Sequence, residues 1–298
     1  MKGRFFWIAL VLIGISWTLN TIYAHSKQLS APIFLDHYVD TVIEEHRPLT
    51  FYYLTNKNDF SGVSHVNIGD VTGYVSNNEF EFGFDFDSNP NIDEFTHHAL
   101  RSIQLELNPT ELENALKDGS FTFNEIDVFF QDGRNATVSI GEVTIHSEYP
   151  TDNGLDSLSS SGSSDGDNEY VYKAEEALSI ERISVNFEDI LGDHLFIKIH
   201  SSNNPTHMGI NSDWNTLRGT DIQEIKFPYK LEKDERLYIY TQIPPDFIGS
   251  LDSSITFSGT TESKNKFTAH IPFYSQQPYL EQRDVNRIIK EKSGGDIR

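Results

Sequence analysis

Residues 121–146, FTFNEIDVFFQDGRNATVSIGEVTIH, contain the clearest structural signal in the chain. Two stretches rich in Phe, Val and Ile, residues 121–130 and 136–146, flank the pair Asp132-Gly133. Such residues favour the pleated surface of a strand, and an Asp-Gly pair favours the tight turn of a hairpin. The segment therefore predicts two antiparallel strands and indicates a β-rich fold.

Similar short runs precede this hairpin. Residues 49–54 and 103–107 predict strands, and residues 80–86 alternate Phe with acidic residues or Gly, as a half-buried strand does. Residues 108–111, Asn-Pro-Thr-Glu, combine an N-cap, a proline at the first helical position and a Glu that could complete a capping box. They predict a short helix that stops at residues 118–119, Asp-Gly.

Strand-like runs also follow the hairpin, with turn signals between them. Residues 178–187 are strand-like, although their register slips near Arg182. Breaks are predicted at residues 244–245, Pro-Pro, and at residues 250–253. The tail from 281 to 292 predicts a helix, since Val285, Ile288 and Ile289 share one face. The other predicted strands are 194–200, 236–243, 254–258 and 266–273.

A segment of small and acidic residues divides the exported part into two pieces. Residues 151–170 lack the apolar area that would offset the entropy of ordering them, so they predict a linker. The expected fold is mainly β, with two tandem antiparallel β-sandwich domains of immunoglobulin-like type after an N-terminal hydrophobic helix. The expected divisions are 1–26 (signal or anchor), 30–150 (β-rich domain with one short helix), 151–170 (linker), 171–278 (β-sandwich) and 279–298 (charged helical tail).

The N-terminus predicts export. Lys2 and Arg4 precede an uncharged apolar run that begins at Phe5 and ends at Trp17. One interpretation is a signal peptide cleaved after Ala24; the other is a single-pass anchor, which needs about 20 mostly apolar residues. Under either interpretation the residues from about 25 onward lie outside the membrane, either tethered to it or secreted.

Charge and cysteine content restrict the function. The net charge is −22, and the part after residue 24 has 21 basic against 45 acidic residues, or −24. Such a surface repels phosphate backbones, so nucleic acid is not an expected partner. Cysteine is absent, which excludes thiol catalysis, iron–sulfur clusters and thiolate zinc sites. A large exported chain without disulfides fits a bacterial origin.

One stretch resembles the opening of a calcium loop. Oxygen ligands stand at positions one, three and five, and calcium favours six to eight oxygens on a tightly turned chain. Pro90 occupies the place of the turn glycine, and Thr96 stands where a bidentate Glu is usual. The alternative is the solvated face of a strand that ends in a turn. The candidate metal ligands are Asp85, Asp87, Asn89 and Asp93, and no other cofactor is predicted.

Three further patterns carry weaker predictions. The pair His97-His98 lies beside acidic residues, but neighbours on a strand point to opposite faces and would not chelate one ion. Residues 162–166 match G-x-S-x-G, yet no strand is expected before the serine, so we interpret the match as coincidental. Trp214, in a polar loop, is interpreted as covering a core or as contacting a ligand, with tyrosines elsewhere as further stacking surfaces.

No catalytic residues are predicted, and the leading hypothesis is non-enzymatic. The chain would be an exported or membrane-anchored bacterial envelope protein that binds or scaffolds an envelope protein or glycan. One alternative is an envelope hydrolase with paired carboxylates from distant strands, which spacing cannot reveal. The other is a calcium-stabilised adhesion module. The sequence leaves the ligand, the oligomeric state and the relative orientation of the two pieces open.

Overall fold

The protein, described here from a computed structural model, is mainly β with an N-terminal helix and sandwich-like sheets, which confirms the predicted fold class. The structure describes residues 2–42, 48–76, 91–149, 154–163, 166–203, 214–244, 247–275 and 278–292. The predicted strand at 80–86 lies outside them. We call residues 33–149 the first half and residues 154–275 the second half.

The first half contains nine strands among its described residues. They are β1 Ile33–Phe34, β2 His37–Val42, β3 Leu49–Asn56, β4 Val63–Ile68, β5 Val71–Val75, β6 Asn91–Glu94, β7 His98–Leu107, β8 Ser120–Phe130 and β9 Asn135–His146. They pair in the order β1-β3-β7-β5-β4-β8-β9-β2, with β6 also on β7. Because β1 and β2 are separated by only two residues, the ends of this run lie side by side and the sheet curls around one apolar core.

The predicted hairpin and short helix are both present in the first half. Strands β8 and β9 pair antiparallel, and helix α2, Pro109–Ala115, begins at the N-cap Asn108. The predicted capping box is wrong, however. The Glu111 carboxylate does not reach back to its own helix but accepts a hydrogen bond from the backbone N–H of Thr72, at 2.7 Å. A tertiary contact has replaced the local one.

The second half is a two-layer sandwich. Its strands are β10 Leu155–Gly162, β11 Asp167–Ala174, β12 Leu178–Val185, β13 Phe196–Ser202, β14 Thr220–Asp221, β15 Tyr229–Leu231, β16 Arg236–Gln242, β17 Ser250–Thr261 and β18 Lys266–Ser275. One layer has the order β10-β11-β16-β13-β14, and the other contains β15, β12, β17 and β18. The core lies between them, and the register slip near Arg182 is confirmed as an irregularity between Ile180 and Arg182.

Strand β2 joins the two halves into one sheet. It pairs parallel with β9 of the first half through residues 37–42 and parallel with β17 of the second half through residues 37–39. Its side chains alternate between the two cores: Val39 lies in the first core and Tyr38 packs against the second. Residues 250–253, predicted as a break, instead begin β17, because β2 and β18 both offer them backbone partners.

The predicted linker also contains regular structure. Residues 155–162 form β10, which pairs antiparallel with β11, so the expectation of an unstructured segment is wrong there. Only Leu155 of this strand is buried. Backbone hydrogen bonds to β11, which the side-chain composition does not reveal, therefore hold the strand in place.

Three further α-helices complete the described chain, besides short 3-10 helices at residues 116–118, 192–194, 214–216 and 222–224. Helix α1, Lys2–Ser26, contains the stretch Phe5–Ser26, which is long and apolar enough to cross a membrane, and none of its described side chains is buried in the protein. Helix α3, Glu188–Leu191, is a single turn. Helix α4, Gln282–Lys292, confirms the predicted tail helix and buries Val285, Ile288 and Ile289 against the first half.

Candidate functional site

A polar cluster around one buried carboxylate lies where the two halves meet. We call it the polar seam. Asp40 comes from β2, His146 ends β9, and Tyr149 follows β9. From the second half, Asn186 follows β12 and His270 lies in β18. The parallel pairing of β2 with both β9 and β17 brings these side chains together across more than two hundred residues of sequence.

Asp40 is the centre of the polar seam. Its side chain is only 4% exposed, and its Oδ1 lies 2.5 Å from Nε2 of His146. The side-chain amide of Asn186 donates a hydrogen bond to its Oδ2. The hydroxyl of Tyr149 donates to the backbone carbonyl of Asp40, at 2.8 Å. A buried carboxylate is costly unless hydrogen bonds compensate it, and here both oxygens are engaged.

Tyr149 extends the polar seam into the second half. Its ring stacks on the imidazole of His270, with centroids 4.5 Å apart and planes at 15°. Nδ1 of His270 lies 3.0 Å from the hydroxyl of Thr256. Burial, and then the charge of Asp40, raise the pKa of Tyr149 well above its ordinary value. The phenol therefore stays protonated and can donate its hydrogen bond.

The geometry of the seam favours a structural role over catalysis. Asp40 and Asp252 both lie beside Tyr149, as the paired-carboxylate alternative would require. A catalytic carboxyl must reach its substrate. Asp40 cannot, because it is buried and its oxygens accept hydrogen bonds from His146 and Asn186. The seam is therefore a satisfied network that fixes the two halves relative to each other.

A second polar row lies on the outer face of the five-stranded sheet. Glu169, Tyr240 and Lys198 stand opposite one another on β11, β16 and β13. Nζ of Lys198 donates to the backbone carbonyl of Trp214 at 2.9 Å and lies 5.0 Å from the centre of its ring. Burial and then the charge of Glu169 raise the pKa of Tyr240 to about 12. Trp214 covers this row.

Only some of the aromatic residues predicted as stacking surfaces are interior, since Tyr52 and Tyr229 are half-buried. Tyr53, Tyr238 and Tyr240 are buried. Trp214 packs against the cluster that contains Tyr238 and Tyr240, which agrees with its interpretation as a covering residue. It lies on the outside of one sheet, however, and not at the end of the sandwich core.

Most of the candidate calcium turn lies outside the described residues. Asp85, Asp87 and Asn89 belong to that part of the chain. Asp93 lies in β6, where its Oδ1 accepts a hydrogen bond from the backbone N–H of Glu94, at 2.8 Å. Within the described ranges, no three His, Asp or Glu side chains converge in a way that could hold a metal ion.

The histidine pair and the G-x-S-x-G match have other roles. Nε2 of His98 lies 2.9 Å from the backbone carbonyl of Lys27, and its ring is 6.3 Å from that of His97. Gly162 ends β10, so a strand does precede the match, contrary to expectation, and Gly166 precedes β11; residues 164–165, which include the central serine, lie outside the described residues. A nucleophile elbow requires a strand-to-helix turn, whereas the described residues after the match form the strand β11.

Comparison with known proteins gives only weak structural similarity. No protein-family model matches the chain, and no curated protein matches its sequence. The collagen-binding domain of the surface protein RspB of Erysipelothrix rhusiopathiae aligns at TM-score 0.21 and 9% identity, over 84% of this chain and 94% of that one. The collagen adhesin of S. aureus gives TM-score 0.20 and 7% identity, over 84% and 94%.

A third solved structure aligns less well. The C-terminal domain of AspA, an antigen I/II-family protein of Streptococcus pyogenes, gives TM-score 0.17 and 7% identity, over 80% of this chain and 99% of that one. Scores at this level assign neither a family nor a ligand. The functional argument therefore rests on the chain's own residues.

Proposed function

We propose that this chain is a bacterial envelope protein, anchored or exported by α1, whose β body is a non-catalytic binding or scaffolding module. The observation that carries the proposal is the direct connection between helix and body. Leu29, three residues beyond α1, exchanges two hydrogen bonds with the side chain of Asn56, at 2.8 and 2.9 Å. The carbonyl of Lys27 bonds His98. Such a connection suits a body that presents one fixed surface from a membrane.

The acidic surface and the polar seam support the same proposal. Because one sheet contains strands of both halves, the body is suited to present a surface of constant shape. Its strong negative charge favours basic proteins and neutral glycans over anionic polymers. An envelope protein or a glycan is therefore the proposed ligand. The hydrolase alternative lacks comparable support, because Asp40 is enclosed.

Binding is tested with residues 27–298 immobilised through a tag. Solubilised envelope proteins and isolated wall polymer are passed over the fragment at raised ionic strength, which weakens capture by charge alone. Saturable binding that untagged fragment competes away, and that heat-unfolded fragment does not show, supports the proposal. Absence of enrichment over a blank column counts against it and directs effort to hydrolase assays.

Anchoring is tested separately. In intact cells we expect protease to digest the body while the protein stays in the membrane fraction. Mass spectrometry of the mature N-terminus decides between retention of α1 and cleavage after Ala24. A mature chain that begins after Ala24 would replace the anchored form of the proposal with the secreted form.

Calcium binding at residues 85–94 is a second proposal, which rests on the spacing of the acidic residues. A ligand that binds the folded state raises the melting temperature. The fragment should therefore melt higher with calcium than with a chelator, and Asp87→Asn should lose most of this shift. An unchanged midpoint in the wild-type fragment would remove the proposal.

A further inference from the structure

One edge of the body is bound closely to the end of α1. Between Ser26, the last helical residue, and Leu29, which bonds Asn56 at the end of β3, there are only two residues. The rings of Tyr23 and His97 also contact, with centroids 6.0 Å apart. If α1 spans the bilayer, this edge therefore lies at the membrane surface and not at the end of a flexible tether.

Two strongly exposed aromatic side chains flank the same edge. Phe60 is 83% exposed and follows a turn closed by the hydrogen bond from the N–H of Asp59 to the carbonyl of Asn56, at 2.9 Å. Tyr279 is 69% exposed. The segment that carries Tyr279 is held beside residue 96, because the side chain of Gln282 accepts a hydrogen bond from the N–H of Thr96, at 2.9 Å.

Exposure of these rings to water is unfavourable, and a bilayer would remove it. Aromatic rings are favoured at the boundary between headgroups and acyl chains, where the apolar body is covered and a polar tip stays hydrated. Two cations stand at the same edge: Lys27, 5.5 Å from the ring centre of Tyr23, and Lys57, which pairs with Glu94 at 2.7 Å. The edge therefore carries cations as well as acids.

We propose that this edge rests on the outer surface of the membrane, with the rings of Phe60 and Tyr279 inserted at the headgroup level. We call it the membrane face, and define it by Lys27, Lys57, Phe60, His97 and Tyr279. The inference rests on the proposed anchoring by α1. Because the body as a whole is strongly acidic, contact with a zwitterionic lipid surface is expected, driven by the aromatic rings. The body is then held in one orientation, and its ligand surface faces away from the membrane.

The absence of cysteine makes a direct test possible. Single cysteines are placed at Phe60, Tyr279, Ile13 and Tyr74 in the full chain, labelled with a nitroxide, and reconstituted in phosphatidylcholine vesicles. Collision with oxygen, which enters lipid, is compared with collision with a water-soluble nickel chelate. Ile13 lies inside α1 and reports whether the helix is in the bilayer.

Tyr74 is the matched control for the membrane face. It is an exposed aromatic residue, 56% exposed. It pairs with Glu106, which lies near the end of β7, whereas His98 begins that strand. Glu106 is eight residues along the strand from His98, so Tyr74 lies about 26 Å from the His98 end of β7. All three body positions are exposed, so labelling there should leave the fold intact.

We expect the oxygen-to-nickel collision ratio to be several-fold higher at Phe60 and Tyr279 than at Tyr74, and highest at Ile13. If the label at Ile13 is in lipid but the collision ratios at Phe60 and Tyr279 equal the ratio at Tyr74, the proposed contact of the membrane face is wrong, while anchoring by α1 is supported. If Ile13 itself is in water, anchoring fails and this inference fails with it. As a second measurement, Phe60→Ser with Tyr279→Ser should increase the rotational mobility of a label at Tyr74, and unchanged mobility contradicts the proposal.

Discussion

The side-chain amide of Asn186 donates a hydrogen bond to the carboxylate of Asp40, and this bond joins the second half of the protein to the first. The same carboxylate contacts His146, and Tyr149 bonds the backbone of Asp40 while it stacks on His270. The buried carboxylate of Asp40 thus accepts hydrogen bonds from both halves, from His146 of the first and from Asn186 of the second. Its removal should affect the coupling between the halves as well as the free energy of unfolding.

Asp40→Ala should lower the free energy of unfolding by about 2–3 kcal/mol, because the hydrogen bonds of the buried carboxylate to Asn186 and His146 are lost. Unfolding in urea measures the loss. If the seam couples the halves, the variant should also lose the single cooperative transition, with each half unfolding at its own midpoint.

The matched control for this prediction is Asp127→Ala. Asp127 is exposed and accepts one hydrogen bond from Thr137, at 2.5 Å. Its loss should cost less than about 1 kcal/mol and preserve a single transition. Equal losses of unfolding free energy in the two variants would show that the hydrogen bonds of Asp40 contribute no more to stability than one exposed hydrogen bond does.

Gly141 permits the close approach of β9 to β2. It has φ 89°, and a Cβ there would lie 2.6 Å from the carbonyl oxygen of His37. Gly133, in the hairpin turn, has nearly the same φ, 87°, but open space around it. Gly133→Ala should cost about 1–2 kcal/mol from the backbone conformation alone. Gly141→Ala should cost about 1–3 kcal/mol more, because the strands must move apart.

Thermal or urea unfolding of these two variants gives the comparison directly. The difference between them isolates the steric contact, because both substitutions place alanine at the same positive φ. Similar losses would mean that β2 and β9 are less tightly opposed than the structure indicates.

The docking of α4 gives a further prediction. Ile288 is buried against a cluster that contains Leu54 and Leu100 of the first half. Ile288→Ala should lower the free energy of unfolding by about 2–4 kcal/mol through lost burial and the cavity that remains. Glu291→Ala, at an exposed position of the same helix, should change it by less than about 0.5 kcal/mol. A helix that is only loosely attached would give small effects in both variants.

The sequence predicted those elements whose signal is local. The hairpin of β8 and β9, the start of α2 and the apolar face of α4 all depend on residues close together in the chain. Strand β2 was missed because His37, Asp40 and Thr41 are polar, yet all three are buried. Polar residues in a buried strand indicate partners from elsewhere in the chain, and nothing in residues 37–42 says where those partners are.

The polar seam was missed for the same reason. Its members come from β2, the end of β9, the end of β12 and β18, and each looks like an isolated polar residue in sequence. Likewise, the exposed composition of residues 155–162 gave no sign of β10, since the strand is stabilised through its backbone. Long-range pairing, which composition does not encode locally, decided both cases.

His37 should make stability depend on pH. It is fully buried in β2, and its Nε2 accepts a hydrogen bond from the backbone N–H of Tyr52, at 2.8 Å. Burial, and to a smaller extent the charge of Lys292, lower its pKa from 6.5 to about 3. The folded protein therefore keeps this imidazole neutral at a pH where the unfolded chain binds a proton.

The direction of the pH effect follows from that difference. Between pH 6.5 and about 3 the unfolded state binds more protons at this position, so stability falls as the pH falls. Above pH 6.5 the stabilising contribution of neutral His37 is present in full. At about pH 3 the free energy of unfolding is lower by on the order of 4 kcal/mol. Burial also lowers the pKa of His98, which adds to the same trend.

His37→Gln isolates this contribution. Glutamine can accept the hydrogen bond from Tyr52 but does not titrate, so the variant should be less stable at pH 8 yet lose less stability between pH 6.5 and 4. Urea unfolding at half-unit pH intervals measures both slopes. Parallel curves for wild type and variant would contradict the prediction, because they would show that His37 binds protons equally in the folded and unfolded states.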